Sequence, residues 1–126
     1  MLVIGHPLLN SMNFYEVTSI EQIQNTPANS TVYIEFSAKE IIDFCRENGV
    51  KFALHVKSLK EVVFSNILGA SYIVLDDSLA LDGQKIANEY MFDAKVLVII
   101  DDENEIETYA LAGIDGVIFP SAVKSF

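Results

Sequence analysis

Mostly apolar segments of four to six residues alternate along the chain with longer segments whose apolar residues recur at three- and four-residue steps. The apolar segments are rich in Val, Ile, Phe and Tyr, and they lie at 32–36, 51–56, 71–75, 95–100 and 116–119. Short segments that are apolar on both faces are typical of the buried strands of a parallel sheet. The longer segments have the period of amphipathic helices. The pattern therefore predicts a repeated unit of one strand followed by one helix.

Capping residues mark the expected starts and ends of these helices. Gly49, Gly69 and Gly113 stand where a helix is expected to end in a left-handed residue. At four expected starts, a Ser or Asp precedes a Gln or Glu by three positions, which is the spacing of a capping box: Ser19 and Gln22, Ser37 and Glu40, Ser58 and Glu61, Asp102 and Glu105. The regular recurrence of the glycines also indicates an internal repeat of the strand–helix unit.

We expect a single α/β domain over residues 1–126. The repeated units occupy 31–126, and the N-terminal extension at 1–30 holds short strands and one helix, at 2–4, 14–17 and near 19–25. Five parallel strands with intervening helices favour a flavodoxin-like three-layer sandwich, in which helices cover both faces of a five-stranded parallel sheet. The alternative is half of a (βα)8 barrel, whose bare sheet edges would need a partner to close them.

The composition narrows the classes of function. Eight basic and eighteen acidic residues give a formal net charge of −10. Nucleic acids and anionic membranes are therefore poor partners, because binding to them depends on Lys and Arg. No apolar run is long enough to span a bilayer, residues 1–9 lack the basic start of a signal peptide, and the single Cys45 has no internal disulfide partner. We expect a cytoplasmic protein in a reducing compartment.

The candidate catalytic residues lie where the predicted strands end, because function in parallel α/β sheets gathers at the carboxyl ends. Aligning the repeats puts Glu35 and His55 at one level on neighbouring strands, with Asp76 one level further on. Neighbouring strands lie about 4.8 Å apart, so Glu35 and His55 can hydrogen-bond. A carboxylate beside an imidazole suits acid–base chemistry, which makes Glu35, His55 and Asp76 the candidates. The alternatives are a satisfied buried polar pair and a helix-capping Asp76.

Further carboxylates follow the same strand ends. Asp76, Asp77 and Asp101 are the candidate metal ligands, because hard oxygen donors suit Mg²⁺ or Ca²⁺. No ligand-loop spacing accompanies them, and a solvated acidic rim is the alternative interpretation. His6, which precedes Pro7 after the first short strand, is interpreted as structural.

One stretch of the sequence resembles response-regulator receiver domains. It is the run at 72–83, Tyr-Ile-Val-Leu-Asp-Asp-Ser-Leu-Ala-Leu-Asp-Gly, which is similar to the third strand and following loop of that family. The resemblance implies that Asp76 stands at the phosphate-accepting position. The acidic pair and the lysine of the family's site would fall at 36–37 and 119–120, where this chain has Phe-Ser and Phe-Pro. The resemblance is therefore to a degenerate receiver that lacks the groups for phosphotransfer.

A second stretch resembles phosphate-binding (βα)8 barrels, the tryptophan synthase α-subunit and its relatives. The run at 112–123, Ala-Gly-Ile-Asp-Gly-Val-Ile-Phe-Pro-Ser-Ala-Val, is similar to the last strand of those barrels. In that family a Gly-Ser pair after the strand binds phosphate through backbone amides. Pro120 stands at the position of the glycine and has no amide N–H. The resemblance implies a vestigial phosphate-binding fragment.

Three functions remain open at this point. The first is a non-catalytic regulatory or assembly module of receiver-like shape, which binds a protein partner or forms a homo-oligomer through an apolar face left open where a last helix is missing. The second is a small enzyme or metal-dependent binder that uses the acidic site at the strand ends. The third is the vestigial phosphate-binding barrel fragment. Because no complete catalytic motif is present, the sequence favours the first.

Overall fold

The structure is a computed structural model that describes residues 1–9 and 12–125. Within these ranges the chain forms eight strands, namely β1 (Leu2–Ile4), β2 (Phe14–Glu16), β3 (Thr31–Glu35), β4 (Phe52–His55), β5 (Tyr72–Leu75), β6 (Lys95–Ile99), β7 (Gly116–Ile118) and β8 (Val123–Lys124). The α-helices of the described residues are α1 (Ile20–Ile23), α2 (Lys39–Asn48), α3 (Leu59–Leu68), α4 (Ala80–Glu89) and α5 (Glu105–Ala112). Two 3-10 turns follow β5 and β7, at Asp77–Leu79 and Pro120–Ala122.

The predicted α/β class and parallel sheet are confirmed. Local signals place the helices much as expected: the Ser58 side chain accepts a hydrogen bond from the Glu61 N–H at the start of α3. Gly49, Gly69 and Gly113 each follow a helix with a left-handed backbone, at φ of 65°, 90° and 79°. Ser19 likewise caps α1, but the capping boxes predicted at Ser37 and Asp102 are wrong, because α2 begins after Ala38 and α5 after Asn104, each without a side-chain cap.

The prediction of a five-stranded sheet is wrong. The strands of the described residues form one eight-stranded sheet in the order β1-β7-β6-β5-β4-β3-β2-β8, and every neighbouring pair is parallel. Residues 1–30 contribute two of these strands, β1 and β2. The strand that the sequence did not indicate is β8, which has only two residues and carries no periodic signal.

The flavodoxin-like sandwich is also wrong, because the helices cover only one face of the sheet. From β2 to β7, consecutive strands are neighbours, so right-handed crossovers carry every helix over the same face. On that outer face, Ile34, Leu54 and Ile73 pack with Cys45 of α2 and Val62 of α3. The inner face has its own core, in which the described strands β1 to β7 each supply one buried residue: Ile4, Phe14, Tyr33, Ala53, Val74, Leu97 and Ile118.

The sheet is strongly curved around this inner core. The ring of Phe14 on β2 lies 5.1 Å from the ring of Tyr72 on β5, although β3 and β4 separate the two strands. In a flat sheet three strand spacings amount to about 14 Å. The alternative of a half (βα)8 barrel, in which a parallel sheet curves with its helices outside, fits this geometry.

The two edges of the curved sheet are brought towards each other by the chain itself. The Phe119 N–H donates to the Ile4 carbonyl at 2.9 Å, so the turn after β7 lies against the end of β1. A Cβ placed on Gly5 would be 2.9 Å from the Cβ of Ala122, the residue before β8. Only a glycine, here with φ of 95°, allows this approach. The bare edges expected of a half-barrel are thus partly covered from within the chain.

We expect replacement of Gly116 by Ala to destabilise the protein, because β1 packs directly on it. An added Cβ would be 2.7 Å from the Leu2 Cβ and 2.9 Å from the Leu2 carbonyl oxygen. Overpacking of this kind costs about 1–3 kcal/mol of unfolding free energy, measurable by urea denaturation.

Leu111→Ala in α5 is the control, because the Leu111 side chain is 91% exposed and Ala is favourable in a helix. Equal stability losses for Gly116→Ala and Leu111→Ala would contradict the close approach of β1 to β7.

Candidate functional site

The register of the sheet brings the three candidate catalytic residues together on its inner face. Glu35 pairs with His55, and His55 pairs with Val74 on β5. Asp76 lies two residues after Val74 and therefore points to the same face as His55. The alignment from sequence placed Asp76 one level beyond His55. The register places it two levels beyond, because His55 pairs with Val74.

His55 is held between two carboxylates. Its Nδ1 lies 3.1 Å and 3.2 Å from the two carboxylate oxygens of Glu35, and its Nε2 lies 3.5 Å from Oδ1 of Asp76. The His55 side chain is 16% exposed, whereas those of Glu35 and Asp76 are 50% and 59% exposed. Although Asp76 is near, Nε2 is buried and makes no hydrogen bond with any described residue. One end of the imidazole is satisfied and the other is not.

The local structure explains why these side chains converge. Glu35 and His55 are the last residues of β3 and β4, and Asp76 directly follows β5. Asp76 precedes the 3-10 turn at Asp77–Leu79, but its side chain makes no capping hydrogen bond there. The helix-capping alternative for Asp76 therefore has no support in the geometry.

Tyr33 is a member of the site that the sequence did not indicate. Its ring stacks on the His55 imidazole with centroids 6.0 Å apart and an interplanar angle of 26°. Burial raises the pKa of the Tyr33 phenol well above its usual range, and the carboxylates of Glu35, Glu16 and Asp76 raise it further. The phenol thus keeps its proton at neutral pH and can donate it in a hydrogen bond.

The missed residues share a signal that was present in the sequence. Tyr33 is two positions before Glu35, and Glu16 pairs with Tyr33 across β2 and β3. Strict alternation along β3 would have grouped Tyr33 with Glu35 on one face. The strand is apolar on both faces elsewhere, so this alternation is hard to recognise without the pairing of β2.

The carboxylates predicted as metal ligands do not form a ligand cluster. No group of three or more His, Cys, Asp or Glu side chains within residues 1–9 and 12–125 is arranged to hold a metal ion. Asp76, Asp77 and Asp101 are all exposed. The Mg²⁺ or Ca²⁺ site predicted at these residues therefore gains no support from their geometry.

His6 has local partners that suit the structural role expected for it. Its Nδ1 accepts a hydrogen bond from the Leu8 N–H at 3.1 Å, and its Nε2 lies 2.6 Å from Oε2 of Glu103. Because Nδ1 acts as an acceptor, the proton of the neutral ring is on Nε2 and is donated to Glu103. His6 also makes an edge-on contact with the Phe119 ring, at 5.7 Å between centroids. It links the end of β1 to the loop after β6.

Comparisons with protein-family models and with curated proteins found no match for the chain. The resemblances to receiver domains and to phosphate-binding barrels therefore stay predictions. Among the described residues, no helix has both the length and the apolar character needed to cross a bilayer.

The raised pKa of Tyr33 predicts a stability effect at high pH. The unfolded chain ionises its tyrosines near pH 10, whereas folded Tyr33 keeps its proton to higher pH. The contribution of Tyr33 to the unfolding free energy is therefore fully present below pH 10 and is lost as the pH rises above it. Tyr33→Phe should flatten this decline in urea denaturation series.

Tyr90→Phe is the matched control, because Tyr90 is 71% exposed and far from this face of the sheet. If the unfolding free energy of Tyr33→Phe falls above pH 10 as steeply as that of the wild type, the burial and the neighbouring charges assigned to the Tyr33 phenol are contradicted.

Proposed function

We propose that the inner face at the carboxyl ends of β3, β4 and β5 is an acid–base site that binds a small, positively charged ligand. The observation that carries this proposal is the placement of His55 between Glu35 and Asp76, with a buried Nε2 that lacks a hydrogen-bond partner. Buried polar atoms are nearly always satisfied in folded proteins, and exceptions concentrate at functional sites.

The charge of the site supports a cationic ligand. Glu16, Glu35 and Asp76 all act on the phenol of Tyr33, so three carboxylates converge on one small region. Opposite charges a few ångströms apart attract more strongly beside a buried face than in bulk water. An ammonium or amidinium group placed there neutralises the charge of Asp76. One of its N–H groups also supplies the hydrogen-bond partner that Nε2 of His55 lacks.

His55 supports proton exchange with such a ligand. Its Nδ1–H is oriented by Glu35, which leaves Nε2 as the atom that gains or loses a proton. When Nε2 takes a proton from a ligand N–H, the imidazolium that results lies between two carboxylates that stabilise its charge. The Tyr33 O–H supplies a donor to the neutral ligand.

The third hypothesis from the sequence is phosphate binding after β7, at the carboxyl ends of the strands. The residues there support it less well than the residues around His55 support cation binding. Pro120 has no N–H to offer, and the Ser121 hydroxyl donates to the Gly5 carbonyl at 3.4 Å. The carboxylate of Glu103 lies nearby, at His6. These neighbours disfavour an anion at this end.

The proposal is tested by titrating isotope-labelled protein with 1,4-diaminobutane and following the NMR signals of Tyr33 and His55. We expect saturable shifts in the wild type, weakened at least about tenfold by Glu35→Gln and by Asp76→Asn, which is a loss of about 1.4 kcal/mol each. Glu47→Gln, an exposed charge near the end of α2, should bind as the wild type does.

The opposite results are as clear. If neither diaminobutane nor guanidinium shifts these signals, the site does not bind cations. If Glu35→Gln and Asp76→Asn lower stability and leave binding unchanged, Glu35 and His55 are the satisfied structural pair considered from the sequence.

A second candidate function, self-association as a regulatory or assembly module, is supported by α3. This helix buries Val62 and Ser65 against the sheet and also exposes Val63, Phe64 and Ile67, which are 36%, 46% and 71% accessible. A surface helix normally turns polar residues outward. An apolar outer face of this kind is typical of a surface that a second copy covers.

Ile67→Glu tests this second candidate by light scattering. We expect the wild type to gain mass with concentration and the variant to remain monomeric, while Leu111→Glu on α5, which is 91% exposed, associates like the wild type. A wild type that is monomeric at the highest attainable concentration would exclude self-association through α3.

A further inference from the structure

The opposite end of the curved sheet, where the strands begin, holds a pocket. Its volume is about 260 Å³. It is lined by residues at the starts of β4 and β6, Lys51 and Lys95, and by polar residues of the neighbouring loops, Asn13, Asn29 and Ser71. None of the described residues that line it is acidic. The pocket is remote from the site around His55, which lies at the carboxyl ends of the strands.

The local charge of this pocket is opposite to that of the chain. The protein has eight basic residues against eighteen acidic ones, yet two of the eight share this pocket. Two lysines that line one pocket repel each other, and an anion bound between them offsets that repulsion. Solubility does not explain why two lysines line the same pocket, because lysines that are spread over the surface repel each other less.

Both lysines follow the inner-face alternation of the sheet. Lys51 is two residues before Ala53, and Lys95 is two residues before Leu97, and both of those residues belong to the inner core. Neither lysine forms an ion pair or a side-chain hydrogen bond with any residue in 1–9 or 12–125. Their ammonium groups are therefore available to a ligand at the mouth of the pocket.

The remaining lining groups are suited to the same kind of ligand. Asn13 and Asn29 offer amide N–H donors, and Ser71 offers a hydroxyl. The phenol of Tyr72 forms the inner wall and contacts the sulfur of Met12 at 3.5 Å. Hydroxyl and amide donors around two ammonium charges fit an oxyanion, whose several oxygens each accept hydrogen bonds.

We propose that this pocket binds a phosphate group, either as free phosphate or as a small phosphate monoester. Lys51 and Lys95 supply the charge, as lysines do in many phosphate sites. Asn29 and Ser71 orient the oxygens, and Tyr72 limits the depth to which the group enters. This proposal does not depend on the function assigned to His55, because the two sites share no residue.

The competing explanation is structural. Helices α2 and α3 end at this side of the sheet, at Gly49 and Gly69, and lysines near a helix C-terminus offset its partial negative charge. If that is their role, replacing the lysines lowers the unfolding free energy, and phosphate does not bind to the pocket.

The test is an NMR titration of the full chain with sodium phosphate and, in a parallel series, with glycerol 1-phosphate. Sodium chloride at matched ionic strength is the reference. We expect saturable shifts of the Asn29 and Ser71 amides and of the Lys51 and Lys95 ammonium groups with at least one of the two phosphates. A response to glycerol 1-phosphate alone identifies a monoester, a response to inorganic phosphate alone identifies the free ion, and equal responses show that the phosphate group itself is recognised.

Charge-removing variants then assign the site. Lys51→Met and Lys95→Met should each weaken binding at least about tenfold, and the double variant should abolish it. Lys60→Met, an exposed lysine at the start of α3, should bind like the wild type, and so should Glu35→Gln at the other end of the sheet.

Several results would overturn the proposal. Chloride shifts equal to those of phosphate, or a loss of affinity in Lys60→Met as large as in Lys51→Met, would show a general salt effect. A wild type without phosphate shifts, combined with reduced stability of Lys51→Met and Lys95→Met, would assign the lysines to the helix ends. Because the ammonium signals are read in the wild type, the test also holds if a variant fails to fold.

Discussion

The pairing of sequential, parallel strands is the constraint on which the rest of this structure depends. Each strand from β2 to β7 lies beside the next one in the chain, so every crossover passes over the same face. The helices cover that outer face alone. The inner face has no helix to bury it, and the sheet excludes water only by curving until side chains from distant strands meet, as Phe14 and Tyr72 do. The cluster around His55 and the pocket between Lys51 and Lys95 lie at opposite ends of this curved inner face.

Much of the fold could be predicted from the sequence because its signals are local. The apolar segments identify the long strands, and residues such as Ser58 and Gly69 fix the helix ends through contacts within a few positions. The strand order could not be predicted in the same way. Both a sandwich and a curved half-barrel satisfy the same apolar pattern, and the choice depends on which strands pair, including a β8 of two residues.

In the candidate site, too, the residue types could be predicted from the sequence, whereas their spatial arrangement could not. Polar positions at the ends of apolar strands were enough to select Glu35, His55 and Asp76 as candidates, because a charged or imidazole side chain differs from the neighbouring Val and Ile. Their spatial relation depends on register, and a shift of one residue at β5 moves Asp76 from one face to the other. Tyr33 escaped notice because a tyrosine is an ordinary residue in a buried strand. Its role is visible only from its contact with His55.

The pairing of β1 with β7 has a consequence for the order in which the protein folds. Leu2 and Gly116 are direct partners, so β1 pairs with a strand that lies far from it in the sequence. Contacts between such distant residues close a long loop and form slowly. Until β7 is in place, β1 has no partner in the sheet and the apolar side chain of Ile4 stays in water. Until β1 pairs with it, that edge of β7 remains open to pairing with a strand of another chain.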